Sequence, residues 1–267
     1  MKKIIFSLLF FCASLFSNSL AQIKEKGLIR IGIDGSVPPL NVAEDGKYDG
    51  FEILLIEELA KEIFGGKEGK IEYFITRGND RINAVRDNKV DLDIAVITVT
   101  KEREKIVDFS NPYFSVNVGV LSRAGDNIKT VNDLQDKEIL AESGTVAYEY
   151  FAKQGHTIRP CSNSSDCYRK LKAGEGSAYA DDNLVVLAYA VVDRKVEANI
   201  INLGTSDFLA IAVQKGNDEL LDAINSGLVN LSKSGFFKKI FNETIDPYYK
   251  GTAEKKYFLL DDLYRMF

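Results

Sequence analysis

Residues Asp91 to Phe114 read DLDIAVITVTKEREKIVDFSNPYF, and this stretch decides the fold. Leu92 to Ile97 is an apolar, β-branched run that reads as a buried strand. It breaks at Thr98-Val99-Thr100 into a short charged helix, with Thr100 as N-cap and Lys101, Glu102 and Arg103 in the first turn. Two hydroxyls, a guanidinium and unpaired backbone N–H groups thus gather at the carboxyl end of a strand, where an anion is favoured. An arginine in a first helical turn opposes the helix dipole, so a local partner or an anionic ligand must offset it.

Outward from this stretch the chain alternates strand and helix. Leu28 to Ile33 is a β-rich run, and Gly50 to Phe64 is helical, with Phe51, Leu55, Leu59 and Ile63 on one face. Ile71 to Thr76 reads as a strand, Arg81 to Asn88 as a helix and Asp91 to Ile97 as the next strand, which predicts a mostly parallel sheet flanked by helices. A second unit of the same class follows. Its strands are Glu138 to Glu142, His156 to Pro160 and Ser177 to Ala180, and its helices are Val146 to Lys153, Cys167 to Lys172 and Leu184 to Val192. Phe208 to Val213 reads as a strand leading back, and the helices Asp218 to Leu231 and Gly235 to Phe241 must pack on an existing lobe. The division expected is 1–21 signal peptide, 22–114 first part of lobe 1, 115–207 lobe 2, and 208–267 return to lobe 1. Two crossings, near 114–118 and 205–209, form a hinge, and a hinge between lobes encloses a cleft.

The chain opens Met1-Lys2-Lys3, runs apolar from Ile4 to Phe16 and reaches Ser19-Leu20-Ala21, the plan of a cleaved signal peptide. The run is shorter than the roughly 20 residues of a bilayer span. Phe11 before Cys12 argues against a lipoprotein site, so release after Ala21 into a periplasm is expected. Cleavage removes two lysines and takes the formal net charge from −5 to −7, which speaks against nucleic acid. It leaves Cys161 and Cys167, which an oxidising compartment favours as a disulfide stabilising the fold by about 2 kcal/mol. One histidine, His156, and no further cysteine give no zinc set, no phosphate-binding glycine loop is present, and no cofactor or metal is expected.

With its Thr98, Thr100 and Arg103, the Asp91–Phe114 segment closely resembles the signature of the periplasmic solute-binding proteins that serve polar amino-acid ABC importers (solute-binding protein family 3). The likeness runs from Gly27 to about Phe241 and is nearest to the cysteine and glutamate-type branches. It implies a two-lobed periplasmic binding protein (type II) that works as a monomer, captures an amino acid and passes it to a permease in the inner membrane. It further implies that Arg103, with Thr98, holds the ligand's α-carboxylate in a bidentate pair. Pairing of Arg103 with Glu104 or Asp108 is the plain alternative. Ser143-Gly144-Thr145, opening the helix at Val146, implies a grip on the same carboxylate from the other lobe, or an ordinary cap.

Asp181 and Asp182 end a strand; adjacent residues point to opposite faces, and the family pattern selects Asp182 as ammonium acceptor. Asp34 either receives ligand protons or orders its loop, and Phe51 either packs on the ligand or sits in the core. Arg81, in Gly78-Asn79-Asp80-Arg81-Ile82, either reaches a side-chain carboxylate or pairs with Asp80 or Glu72. Val37, Val96 and Leu54 depart from the family's pattern and argue against long basic ligands such as arginine. Cysteine or another small polar amino acid, or an acidic one, is therefore expected. A cyclohexadienyl-dehydratase-like enzyme on the same scaffold, or a sensor for a membrane receptor, is the alternative.

Overall fold

The computed structural model describes residues 18–251 and 253, so most of the expected signal peptide 1–21 lies outside the described residues. Helix α1 (Leu20–Lys26) starts at a capping box built by Ser19 and Gln22. Strand β1 (Leu28–Ile33) follows, then a small antiparallel meander of β2 (Ser36–Val37), β3 (Asn41–Glu44) and β4 (Lys47–Asp49). Helix α2 (Phe51–Ile63) buries the fourfold stripe read from the sequence, with Phe51, Leu55, Leu59 and Ile63 all fully covered. Burying each such side chain stabilises by about 1.5–3 kcal/mol. Then come β5 (Lys70–Ile75), α3 (Asp80–Arg86), β6 (Leu92–Asp93) and β7 (Val107–Phe109).

The crossing strand β8 (Phe114–Arg123) leads into β9 (Ile139–Glu142), α4 (Val146–Lys153), β10 (Ile158–Cys161), α5 (Ser164–Ala173), β11 (Ala178–Asp182) and α6 (Asn183–Val192). The long β12 (Val196–Leu209) leads back to β13 (Ala212–Gln214), α7 (Asp218–Lys233), α8 (Phe236–Ile240), one π-helical turn and α9 (Asp246–Tyr249). The first sheet is ordered β5-β1-β6-β13-β7 and the second β10-β9-β11-β8-β12. In each, three parallel strands are followed by one antiparallel strand, and the fifth pairs antiparallel with that one and so runs with the first three. The two lobes therefore share one plan. Helices α7 and α8 pack on α2, as the first-lobe reading expects, but α9 packs on α6 of the second lobe.

Three local expectations are corrected. The strand Leu92–Ile97 stops at Asp93, although Ile94 to Ile97 stay buried. Val96 takes φ +53 and gives its N–H to Glu52 instead of a ladder partner. No α-helix follows Thr100: Arg103–Lys105 is one 3₁₀ turn, with the Thr100 hydroxyl accepting from the Arg103 N–H at 3.2 Å. The returning segment is two strands, not one. β12 was unreadable because it is irregular: its register against β8 shifts three times and its polar residues alternate poorly.

Candidate functional site

Arg103 leaves its 3₁₀ turn between the lobes. Its guanidinium donates to the Thr98 carbonyl of the first lobe at 2.6 Å and to the Gly144 carbonyl of the second at 2.8 Å. Neither alternative partner is in place. Asp108 instead accepts from Lys215 at 2.5 Å and from the Gly216 N–H at 2.8 Å, and no ion pair joins Glu104 to Arg103 among the described residues. Burial and the nearby Arg81 charge lower the Arg103 pKa to about 10, so it keeps its charge at neutral pH, with Asp182 and Asp207 acting the other way. Two of the five N–H donors are used on carbonyls, which leaves donors of the same fork for an anion.

Around it lies a small cleft between the lobes. Asp34, Arg81, Val96, Thr98, Arg103, Thr145, Val146 and Asp182 all line it. Eight of the nine residues singled out from sequence are therefore brought together. Phe51 is not: it opens α2 and is fully buried, edge-on to Phe114 at 5.3 Å and stacked on Phe237 at 6.5 Å. Its apolar stripe outcompetes the cleft for it, so the core alternative describes its placement.

Thr145 caps α4, its hydroxyl accepting from the Tyr148 N–H at 3.2 Å. This aims the first turn of α4, with Val146, at the cleft. Asp34 accepts from the Ser36 N–H at 3.1 Å and its hydroxyl, and lies 3.6 Å from Arg77; it orders its loop while bordering the cleft. Arg81 pairs with neither Asp80 nor Glu72. It donates to the carbonyls of Gly78 at 3.0 Å, Ala95 at 3.0 Å and Val96 at 2.9 Å.

Both Asp181 and Asp182 line the cleft, which corrects the expectation that only one faces it. The alternation rule fails because Asp182 ends the strand and becomes the residue preceding α6, with φ −59 and ψ 142. Asp181 is held by the Tyr179 hydroxyl and by the Asp182 N–H at 2.8 Å. Burial raises both carboxyls, and the charge of Asp181 raises Asp182 further. Sequence reasoning missed Glu142, Ser164 and Val185, which complete the lining with Val37. Burial and then the facing Asp34 push Glu142 up to about 8. It directly precedes Ser143-Gly144-Thr145, but a lone acid at a strand end reads as a solvated strand terminus, and the motif drew attention to the residues after it.

The disulfide Cys161–Cys167 is formed, with Cα atoms 5.2 Å apart. It spans the end of β10 and the start of α5, next to Ser164. Among the described residues, no helix is long and apolar enough to cross a membrane.

The arrangement has solved counterparts. The solute receptor for L-cysteine of Neisseria gonorrhoeae is similar with a TM-score of 0.86 and 35% identity, covering 91% of this chain and 99% of that one. The cysteine-binding protein from Campylobacter jejuni gives 0.86 and 31%, covering 90% and 98%. Among curated proteins, the ABC transporter glutamine-binding protein of Bacillus subtilis is 28% identical over 238 residues, 86% of each chain. These solved receptors carry the two-lobed periplasmic binding fold found here. Residues 29–246 match one family throughout both lobes and the hinge, and the chain belongs to the bacterial extracellular solute-binding proteins, family 3.

Proposed function

We propose that this protein is a periplasmic amino-acid receptor, released by cleavage after Ala21, that hands its ligand to the permease of an ABC importer. In this reading lobe 1 is 22–114 with 208–267, and lobe 2 is 115–207. One observation carries it: the Arg103 fork bridges Thr98 and Gly144, while Asp182 lies in the same closed space. A zwitterion needs both an anion clamp and an ammonium acceptor. Arg103, the hydroxyl of Thr98 and the first turn of α4 take the α-carboxylate; Asp182, backed by Asp181, takes the ammonium. Closure on the ligand then changes the surface that the permease meets.

The ligand we favour is a small polar amino acid such as cysteine, in keeping with the names of the two solved receptors. An acidic ligand ranks lower because Arg81 already spends its Nε and one Nη on backbone carbonyls. A second reading, a dehydratase of cyclic dienyl acids, draws on the raised Glu142, which fits a proton donor. Prephenate, though, would bring two carboxylates into a cleft already rich in acids, and the binding reading stands ahead of it.

The test is a thermal-shift screen of residues 22–267, unfolded to strip ligand and refolded, against the amino acids. A ligand at about 100 times its Kd stabilises by about 2.7 kcal/mol and raises the midpoint by several degrees. One clear hit that Arg103→Ala removes supports the receptor. No hit in refolded protein, together with turnover of prephenate or arogenate, would replace it with the enzyme.

A further inference from the structure

The cleft holds more acid than a zwitterion can use. Its lining includes four carboxyls, Asp34, Glu142, Asp181 and Asp182, against two guanidiniums, Arg81 and Arg103. Two of the four are occupied: Asp34 by Ser36 and Arg77, Asp181 by Tyr179 and the Asp182 N–H. Among the described residues, no side chain hydrogen-bonds or ion-pairs with the carboxyl of Asp182 or of Glu142, although Glu142 accepts from the Gly78 backbone N–H. The α-ammonium satisfies one of these two. Glu142 remains, 7% exposed, at the carboxyl end of β9.

The groups facing Glu142 are Asp34 and Arg81 from the first lobe, Asp181 from β11, and the Gly78 backbone N–H. Arg81 and the N–H favour its charge, but the net field of the acids and burial oppose it. A hydrogen-bond donor or a cation beside Glu142 is favoured, while the facing Asp34 and Asp181 make a further carboxylate costly there. Val37, Val96 and Val185 wall the space and keep it short.

We propose that Glu142 is a specificity-determining residue that accepts a hydrogen bond from the ligand's side chain. The receptor then takes short α-amino acids ending in a thiol, hydroxyl or ammonium and rejects those ending in a carboxylate. This rests on the receptor reading above and deepens it.

The experiment is calorimetric titration at neutral pH of L-cysteine, L-serine, L-2,3-diaminopropionate and L-aspartate. Each is titrated into refolded wild type and into Glu142→Gln, with the melting temperature of each free protein as the check on folding. At least one donor ligand is expected to bind the wild type about 100-fold or more tighter than aspartate, the scale on which a site rejects a ligand that leaves its polar groups unpaired. Glu142→Gln is expected to narrow that ratio by about tenfold or more, with the diaminopropionate arm falling most, because a ligand ammonium draws Glu142 into its charged form and pairs with it, which an amide cannot match. Serine and cysteine separate hydroxyl from thiol.

Aspartate binding as tightly as the donors, or an unchanged ratio in a folded variant, would overturn the proposal while leaving the receptor intact. If the variant does not fold, the wild-type ratio decides alone. Failure of every amino acid to bind would instead bring down the receptor reading, and this inference with it.

Discussion

Val96 is a β-branched residue held at φ +53, a left-handed conformation that such side chains resist. Glu52 holds it there. One carboxylate oxygen accepts from the Val96 N–H at 3.0 Å and from the Tyr113 hydroxyl, and the other accepts from Asn41, whose amide oxygen takes the Gly35 N–H at 2.6 Å. One buried acid thus sets the cleft floor at Val96, the Asp34 loop and the residue before the first crossing strand. Burial raises Glu52 to about 7 despite these donors. The folded protein therefore holds a proton that the unfolded chain has released between pH 4.5 and about 7, and stability falls as pH rises through that window. The whole effect is at most about 3 kcal/mol. Asp93, fully buried and raised to about 8 by that burial, acts in the same direction. Denaturant melts of the ligand-free protein at pH 5, 6, 7 and 8 are expected to show declining stability, with Glu52→Gln flattening the slope below pH 7. A rise in wild-type stability across that range would refute the assignment. At this scale the sequence points to Arg103 through its Thr98–Thr100–Arg103 motif, and to Asp182 through the resemblance to the family. Glu142 was hidden because its role comes from what faces it across the cleft.

Between elements, the lobes meet through two loops. Gly78 before α3 has φ +51 and Gly144 before α4 has φ +83. A Cβ on Gly144 would lie 2.3 Å from the Asn79 side-chain oxygen and 3.0 Å from its backbone nitrogen, and one on Gly78 would lie 2.7 Å from the Ser143 carbonyl. Both glycines permit backbone-to-backbone contact across the closed cleft. Adding a methyl group costs about 1–2 kcal/mol in that conformation alone, before any clash. Gly144→Ala is thus expected to weaken ligand binding about tenfold or more while moving the ligand-free melting point by only a few degrees. An unchanged Kd would show that closure does not depend on this contact. The disulfide acts locally too. It closes the Ser162–Asn163 turn, where Asn163 caps α5 by accepting from the Asp166 N–H at 2.9 Å and so sets Ser164 at the cleft. Reduction is expected to lower the melting point by several degrees and to weaken binding; if binding is untouched, the brace is purely structural. The sequence shows the repeated strand–helix plan because apolar periodicity encodes it. The meander β2–β4 was missed because strands of two to four residues are too short to show such a pattern.

On the scale of the whole molecule, two strands cross between the lobes, paired at Phe114–Leu209, Ser115–Phe208 and Val116–Asp207. Paired crossing strands bend together, the geometry of a hinge. The C-terminal helix adds a third link: fully buried Tyr249 of α9 donates to the Leu184 carbonyl of α6 at 2.6 Å. Leu184 lies two residues after Asp182. Opening must either carry α9 along with the second lobe or break this bond, a net loss of about 0.5–1.5 kcal/mol. Tyr249→Phe is therefore expected to enlarge the radius of gyration of the ligand-free protein in X-ray scattering and to speed ligand dissociation in stopped flow. Equal curves and equal rates would show that α9 merely rides on one lobe. If the link holds, residence time in the cleft is governed from a helix more than sixty residues further along the chain. A fluorophore placed beside α9 would then serve as a clock for ligand exchange, and a bulky fusion there would slow or hasten it without touching the ligand.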